Sequence, residues 1–330
     1  MGMKKTTLIL SQKDISRLID IKKAVGCVEQ AFAAYARKET LMPSKIYITL
    51  PEDNGDFRAM PAYVRTLRAC SLKWVNVHPD NAGKGLPTVM ATLILSDPKT
   101  GYPLSVMDAT LLTSLRTAAA GGVAAKYLAR GDSSVVGLVG CGAQAVTQLQ
   151  ALRALFKIKE ARVWGHKDFL IKEFIKKMRI RGETMIPAKT VRDCAVGADI
   201  ITTTTPSRKT LIKLSWVKPG AHINAIGADA AGKRELETAL LKKARVVIDD
   251  WAQAAHSGEI NVPVKRKQIS RRDICAELGE VVIGRKKGRR KDTDITVFDS
   301  TGLAIQDTAV AHMVYRAALR RKAGRKVELL

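Results

Sequence analysis

Residues 133–150 of this 330-residue chain read SSVVGLVGCGAQAVTQLQ, and this stretch decides the class of fold. A short apolar run, Val135 to Val139, ends in the turn Gly140-Cys141-Gly142, and a helical pattern containing the small residue Ala145 follows. The order of strand, glycine-rich turn and helix is typical of a dinucleotide-binding βαβ unit, here with alanine in place of the third glycine. The pattern therefore predicts a Rossmann domain that binds a dinucleotide, with a purely structural tight turn as the alternative.

Each position of the turn has a physical role in this prediction. Gly140 permits the tight turn, and Gly142 lets the backbone approach a pyrophosphate. Ala145 is small enough for the helix to pack close to the strand. The first residues of the helix, Ala143 and Gln144, offer free N–H groups and the positive end of the helix dipole to the phosphates.

Strands and helices alternate from residue 133 onward. The strand candidates are 134–139, 161–164, 183–187, 200–204, 222–227, 245–249 and 294–298. Such alternation indicates a parallel, doubly wound sheet, so the predicted fold class is α/β with a Rossmann doubly wound domain.

The first third of the chain has a different organisation. Ser11 and Asp20 occupy positions typical of helix caps. Strand-like runs then follow at 45–50, 57–64, 69–75 and 88–95. These patterns predict a mostly antiparallel α+β domain. A helix rich in alanine and glycine, 113–130, is expected to connect the domains, and a final helix within 306–330 is expected to return to the first.

The composition narrows the classes of function. The chain has 56 Lys and Arg against 31 Asp and Glu, a formal charge of +25, but only 5% aromatic residues. The densest basic runs lie in loop-like or terminal segments without a stacking platform or recognition helix, so we expect no specific nucleic-acid partner. There is no apolar run of about 18 residues, so no membrane span is expected. Five scattered cysteines without metal-ligand spacing indicate a reduced, cytoplasmic protein with no metal site.

Four charged residues lie within or beside apolar strands, where an uncompensated charge is costly. Lys73, Arg58 and Arg116 are cations that would hold a substrate carboxylate through paired hydrogen bonds. Asp229 follows the strand candidate 222–227 at its carboxyl end, where a doubly wound sheet places ligands. It would exchange a proton with an amine or a water. For each of the four, a structural ion pair is the alternative.

Segments in both domains together resemble the ornithine cyclodeaminase/mu-crystallin family, and within it most closely the archaeal alanine dehydrogenases. The segments that carry this resemblance are Leu72–Asn76, Gly85–Ala91, Met107–Thr110, Thr113–Thr117, Gly140–Ala145, Thr203–Ser207, His222–Asp229 and Phe298–Asp307. The resemblance implies a homodimer with a substrate-binding and dimerisation domain formed by 1–115 together with 307–330. It also implies a Rossmann dinucleotide-binding domain over 116–306.

The resemblance also implies roles for individual residues. Lys73 and Arg116 would bind the substrate carboxylate with Lys45 nearby, and Lys73 would share a catalytic role with Asp229, the acid/base beside the amine or imine carbon. Further residues would border the cofactor, namely Thr88, Ser114, Thr117, Thr204, Thr205, Pro206, Gly227, Ser300 and Gly302.

Two departures from the family pattern bear on substrate and cofactor. Ornithine cyclodeaminases have a glutamate where this chain has Arg58, as in the archaeal alanine dehydrogenases. A cation there would repel a terminal ammonium and suits a short monoamino substrate. After the second Rossmann strand, where NAD-binding members usually have an acidic residue, this chain reads Gly165-His166-Lys167. The absence of a carboxylate there favours NADP(H) slightly over NAD(H).

We therefore expect an NAD(P)-dependent amino-acid dehydrogenase that acts on a small 2-amino or 2-oxo acid, with alanine and pyruvate as the first pair. The alternatives are a cyclic-ketimine reductase, an ornithine cyclodeaminase and a non-catalytic NADPH-binding protein of the crystallin type. An anion-binding scaffold that uses the basic run 285–291 is a further alternative.

Overall fold

The computed structural model describes residues 6–329. Within this range the chain forms two compact units. Unit 1 extends to Arg116 and resumes at Leu303, and unit 2 comprises Thr117–Gly302. We expected the Rossmann domain to continue to residue 306. The boundary lies earlier because the last helix begins at Ala304 and packs along its length in unit 1.

Unit 1 is built on one mixed sheet. Its strands are β1 (Thr7–Leu10), β2 (Thr40–Leu41), β3 (Ile46–Leu50), β4 (Gly55–Val64), β5 (Ala69–Val77), β6 (Val89–Ser96), β7 (Pro103–Asp108) and β16 (Arg325–Val327). The strand order is β16-β1-β7-β6-β5-β4-β2, with β3 also paired to β4. The β1–β7 pair is parallel and the other pairs are antiparallel, so the predicted mostly antiparallel sheet is confirmed.

Helices cover one face of this sheet. They are α1 (Gln12–Leu18), α2 (Ile21–Ala36) and α11 (Ala304–Arg321), with short 3-10 turns at Pro51–Asp53, Arg65–Leu67 and Pro79–Lys84. Ser11 and Asp20 cap α1 and α2 as predicted, because their side chains accept hydrogen bonds from the first backbone N–H groups. Helix α11 packs against α2, β4, β5 and β6, so the predicted return of the last helix to the first unit is confirmed.

Unit 2 is a doubly wound parallel sheet. Its strands are β8 (Val135–Val139), β9 (Glu160–Trp164), β10 (Thr184–Pro187), β11 (Ile200–Thr203), β12 (His222–Ala225), β13 (Arg245–Ile248), β14 (Ala276–Glu277) and β15 (Thr296–Asp299). The strand order is β10-β9-β8-β11-β12-β15-β13-β14, and every pair is parallel. The order reverses between β8 and β11, which is where such sheets bind ligands.

Helices connect the strands of unit 2. They are α4 (Ala143–Leu155), α5 (Asp168–Met178), α6 (Val191–Ala195), α7 (Thr238–Lys243), α8 (Trp251–Ser257), α9 (Asn261–Lys265) and α10 (Leu278–Val282), with 3-10 turns at Leu214–Trp216 and Arg271–Asp273. The α/β class is therefore confirmed. Helix α3 (Thr110–Leu128) begins in unit 1 and continues into unit 2. Among the described residues, no helix combines the length and apolar character needed to cross a bilayer.

Candidate active site

The two glycines of the turn in unit 2 have different roles. Gly140 is needed for its backbone conformation, and Gly142 for the space that it leaves. Gly140 has φ +112°, and a Cβ there would lie 2.5 Å from Oγ1 of Thr204. Gly142 has an ordinary backbone and is the N-cap of α4. A Cβ on Gly142 would meet no atom within 4 Å. Gly140 is therefore required by the fold, whereas Gly142 leaves open space in front of the helix.

This open space fits the phosphates of a dinucleotide. No side chain caps the N-terminus of α4, so the amides at Ala143 and Gln144 stay available for an anion. Ala145 is fully buried against the sheet, as its small size predicts. Within residues 6–329, Oε1 of Gln144 and Oγ of Ser300 are buried without a hydrogen-bond partner, and buried polar atoms normally have one. A bound dinucleotide would supply such partners.

A buried glutamate joins the two loops that follow β11 and β12. Oε1 of Glu235 accepts hydrogen bonds from the backbone N–H and Oγ1 of Thr205, at 2.7 and 2.6 Å. Oε2 accepts the N–H of Gly227 at 3.0 Å. Burial raises the pKa of Glu235 to about 7, against the opposing effect of these hydrogen bonds. Glu235 therefore fixes two of the predicted cofactor residues relative to each other, while Pro206 beside them is exposed.

Further buried carboxylates hold the backbone at the same edge of the sheet. Glu259 accepts the N–H of Glu235, and Asp299 accepts the N–H of Glu259 at 2.8 Å. Asp249 accepts the N–H of Gly302 at 2.8 Å. Burial raises the pKa of Asp299 to about 8 and that of Glu259 well above its usual range. These carboxylates position loops through backbone amides.

The segment after β9 carries exposed groups. His166 and Lys167 are exposed, and the His166 ring lies edge-on to Trp164 with centroids 5.0 Å apart. A Cβ on Gly165 would lie 2.5 Å from Sγ of Cys141, so a larger residue does not fit there without a shift. The next carboxylate in the chain, Asp168, is already inside the first turn of α5.

The predicted carboxylate-binding cations of unit 1 meet an acidic residue of α11. Nζ of Lys73 donates to both carboxylate oxygens of Asp307, at 2.9 Å each. Nε of Arg116 donates to the same Asp307 at 3.0 Å, and its Nη1 donates to Oε1 of Gln306 at 3.0 Å. The Nε2 group of Gln306 is buried and has no partner among the described residues. Two buried cations thus share one carboxylate beside a free amide donor.

The electrostatics of this cluster favour an additional anion. The pKa of Lys73 is lowered to about 7, first by burial and next by the Arg116 charge, although Asp307 opposes both effects. The charge of Lys45 also lowers this pKa. A negatively charged ligand would stabilise the protonated form of Lys73 and balance the excess positive charge.

The other predicted residues of unit 1 lie in different settings. Arg58 is buried, and its guanidinium binds Asp56 through Nε at 2.6 Å and Nη2 at 3.0 Å. Thr88 is exposed just before β6. Ser114 lies in α3, where its hydroxyl donates to a backbone carbonyl of the same helix. The role of Arg58 as a substrate ligand stays a prediction, because Asp56 already compensates its charge.

Asp229 lies in the loop after β12, as expected from the sequence. Nζ of Lys233 donates to its Oδ1 at 2.6 Å, and the Asp229 side chain is 32% exposed. Asp229 is thus held by a cation and is accessible to a substrate or a water.

Thr117 begins the part of α3 that belongs to unit 2, and its carbonyl accepts a hydrogen bond from Gln148 at 3.0 Å.

Several of these residues were missed by the reasoning from sequence. They are Asp56, Lys233, Glu235, Gln306 and Asp307, and each is the partner of a predicted residue. For Asp307 there was a signal, since a carboxylate stands in the otherwise uncharged first turn of a helix. For Glu235 the signal is absent, because its surroundings in sequence are polar.

The fold and the site define a class of protein, a Rossmann dinucleotide-binding unit combined with an α+β unit that has a buried cation cluster. Residues 5–322 match the model of the Ornithine cyclodeaminase/mu-crystallin family. The chain therefore belongs to the ornithine cyclodeaminase/mu-crystallin family, which confirms the resemblance inferred from the motifs.

Individual relatives are similar over nearly the whole chain. The alanine dehydrogenase of Archaeoglobus fulgidus is 51% identical and covers 98% of both chains. A solved archaeal alanine dehydrogenase dimer with bound NAD is 50% identical, with a TM-score of 0.95 over 99% of this chain and 100% of the other. The Thermococcus litoralis Δ1-pyrroline-2-carboxylate reductase, solved with NADH and L-proline, is 36% identical, with a TM-score of 0.93 over 97% of this chain and 100% of the other.

Proposed function

We propose that this oxidoreductase is an NAD(P)-dependent amino-acid dehydrogenase that interconverts L-alanine and pyruvate, with water and ammonia as the other reactants. The observation that carries the proposal is the buried cluster of Lys73, Arg116 and Asp307, in which two cations share one carboxylate. A buried excess of positive charge calls for an anionic ligand, and the carboxylate of an amino or oxo acid meets that need. The 51% identity to an alanine dehydrogenase supports this substrate pair.

Different residues of the chain would have different roles in this reaction. A bound nicotinamide would supply the hydride acceptor for Cα, so that the neutral amine of the amino acid would become an iminium. Lys73 and Arg116 hold the carboxylate and thereby orient Cα. Asp229 removes a proton from the water that adds to the imine carbon, and ammonia then leaves. The ion pair with Lys233 would hold the Asp229 carboxylate in place for this proton transfer.

A cyclic-ketimine reductase is the second candidate. A relative that was solved with NADH and L-proline is 36% identical to this chain, and proline presents the same carboxylate. An ornithine cyclodeaminase is disfavoured because Arg58 stands where these enzymes have a glutamate, so no free carboxylate is available there for the distal ammonium of ornithine. A non-catalytic crystallin-type protein would bind cofactor and turn over no amino or imino acid.

For the cofactor we propose either NADP(H) or NAD(H), with a slight preference for NADP(H). Exposed His166 and Lys167 follow β9, and the residue that would carry a ribose-binding carboxylate is Gly165. This arrangement tolerates a 2′-phosphate. The solved relatives contain NAD and NADH, so NAD(H) is the alternative cofactor.

We also propose a homodimer formed through the face of the unit 1 sheet that its helices leave uncovered. Ile46, Ile48, Leu72, Trp74 and Ile94 are exposed on this face to between 39% and 61%. Large exposed apolar patches mark interfaces, and the solved archaeal relative is a dimer. Trp74→Glu should convert the dimer to monomer in light scattering, whereas the exposed control Ile180→Glu should leave it unchanged. A dimeric Trp74→Glu variant would contradict this interface.

Two expectations about cellular context stay predictions. All five cysteines are free, as a reducing cytoplasm would require. The absence of a specific nucleic-acid partner likewise rests on the sequence argument.

The test of function is NADH and NADPH oxidation with pyruvate plus ammonium, run beside Δ1-pyrroline-2-carboxylate. Turnover with pyruvate and ammonium is expected, and turnover with the cyclic imine alone would make the ketimine reductase correct. Asp229→Asn should abolish turnover and leave cofactor affinity nearly intact, while Asp132→Asn, which changes an exposed carboxylate, should match the parent. Normal turnover of Asp229→Asn would exclude its proposed role.

A further inference from the structure

A groove of about 1090 Å³ lies in unit 2, and its lining, among the described residues, does not include the glycine turn. Its walls come from the segments 208–210, 231–234 and 255–266, which follow β11, β12 and β13, whereas the glycine turn follows β8. The lining contains the cations Arg208, Lys209, Arg234, Lys265 and Arg266, and it contains no Asp or Glu.

Among residues 6–329, these five cations have no acidic partner. In the part of the chain that the structure describes, none of them forms an ion pair, although other surface cations do, such as Lys286 with Glu280 at 3.0 Å. Nη1 of Arg208 donates to the carbonyl of Ala231 at 3.1 Å. Nε of Arg234 is buried without a partner among the described residues. Like charges held in one groove repel one another, so a bound anion would stabilise this arrangement.

In contrast, residues of the basic run 285–291 bind other groups of the protein. Arg289 is half-buried, and its guanidinium donates to the carbonyls of Leu128, Gly220 and Asp294 at 2.7, 3.0 and 2.6 Å. Lys286 pairs with Glu280. This run therefore stabilises the unit and is a weaker candidate for anion binding than the groove.

We propose that the groove is a binding site for a compact oligophosphate, that is, two or three linked phosphates, either free or carried by a nucleotide. Arg and Lys are the side chains that bind phosphate, and the size of the groove is that of a small-molecule site. One wall of the groove is also hydrogen-bonded to the loop that follows Asp229. The side-chain amide of Asn261 accepts the N–H of Gly232 at 2.9 Å and donates to the carbonyl of Lys233 at 2.8 Å. An occupant of the groove thus touches the segment that holds Asp229.

The site is tested by calorimetric titration of the enzyme, saturated with its nicotinamide cofactor, at about physiological ionic strength. The probes are inorganic tripolyphosphate and ATP, with orthophosphate for comparison. We expect tripolyphosphate to bind at least about tenfold more tightly than orthophosphate, since several cations contact one ligand. Equal affinity for ATP and tripolyphosphate would assign recognition to the phosphate chain, and tighter ATP binding would assign it to a nucleotide.

Two double variants that each remove two positive charges distinguish a specific binding site from non-specific electrostatic attraction. Lys265→Gln with Arg266→Gln should weaken tripolyphosphate binding about tenfold or more, whereas Lys287→Gln with Arg290→Gln should change it by less than about twofold. Lys209→Gln, at an exposed side chain, gives a second variant of the groove. Equal losses in both double variants, or no binding of tripolyphosphate to the cofactor-saturated parent, would each overturn the proposal.

Discussion

Lys73 and Asp307 form a fully buried ion pair, in which Nζ lies 2.9 Å from both carboxylate oxygens and neither side chain is exposed. Arg116 donates to the same carboxylate at 3.0 Å. Asp307 therefore organises both predicted substrate cations and leaves one positive charge uncompensated when Lys73 is protonated.

Asp307→Asn should destabilise the protein by about 3–5 kcal/mol, because two buried cations lose their counter-charge. The free energy of unfolding in urea measures this. Asp132→Asn is the control, since its carboxylate pairs with Arg130 at 3.2 Å but is 78% exposed, and it should cost less than about 1 kcal/mol. Equal effects of the two substitutions would contradict a buried pair in solution.

Affinity for an oxo acid should fall as pH rises through about 7. Burial lowers the pKa of Lys73 to about 7, so its ammonium is present below this pH and is lost above it. The affinity for pyruvate in the enzyme–cofactor complex should then fall by up to about tenfold per pH unit. Lys73→Arg keeps its charge and should flatten the profile. Identical profiles for parent and variant would assign the pH dependence to another group.

The two glycines of the turn should respond differently to alanine. Gly140→Ala should destabilise the protein by about 1–3 kcal/mol, because of the positive φ and the contact with Thr204. Gly142→Ala should leave the melting temperature unchanged and reduce dinucleotide affinity about tenfold, because its Cβ enters the phosphate space. Thermal unfolding and fluorescence titration with NADH distinguish them. Normal cofactor affinity in Gly142→Ala would place the phosphates elsewhere.

A carboxylate after β9 should change cofactor preference. Lys167→Glu should shift the ratio of kcat/KM for NADPH over NADH toward NADH by about tenfold, since a negative charge repels the 2′-phosphate. Lys172→Glu, exposed on α5, is the control and should leave the ratio within about twofold. An unchanged ratio in Lys167→Glu would show that this segment does not meet the ribose.

Much of the architecture was predictable because its signals are local. The candidates 134–139 and 200–204 became Val135–Val139 and Ile200–Thr203, since buried parallel strands read as continuous apolar runs. The strands β2, β7, β14 and β16 were not predicted. The last two are only 2 and 3 residues long and lie at sheet edges, so their pairing depends on a distant neighbour more than on their own pattern.

For each ion pair of the site, only one of the two partners was predictable from the sequence. Lys73, Arg116 and Asp229 stood out because a charge beside apolar strands is costly. Their partners did not stand out, because Lys73 and Asp307 are 234 positions apart and α11 must return to the sheet before they meet.

The sequence by itself determined the Rossmann unit and its dinucleotide turn, because glycine conformation and hydrophobic periodicity act between residues that are close in the chain. Only the tertiary structure decided which carboxylate each buried cation meets, and that Glu235 joins the loops at Thr205 and Gly227. It also decided that five cations line one groove with no acidic partner in the described part of the chain. The physical reason is that burial and charge–charge distance exist only after the chain has folded, and these two quantities set both the pKa of Lys73 and its need for an anion.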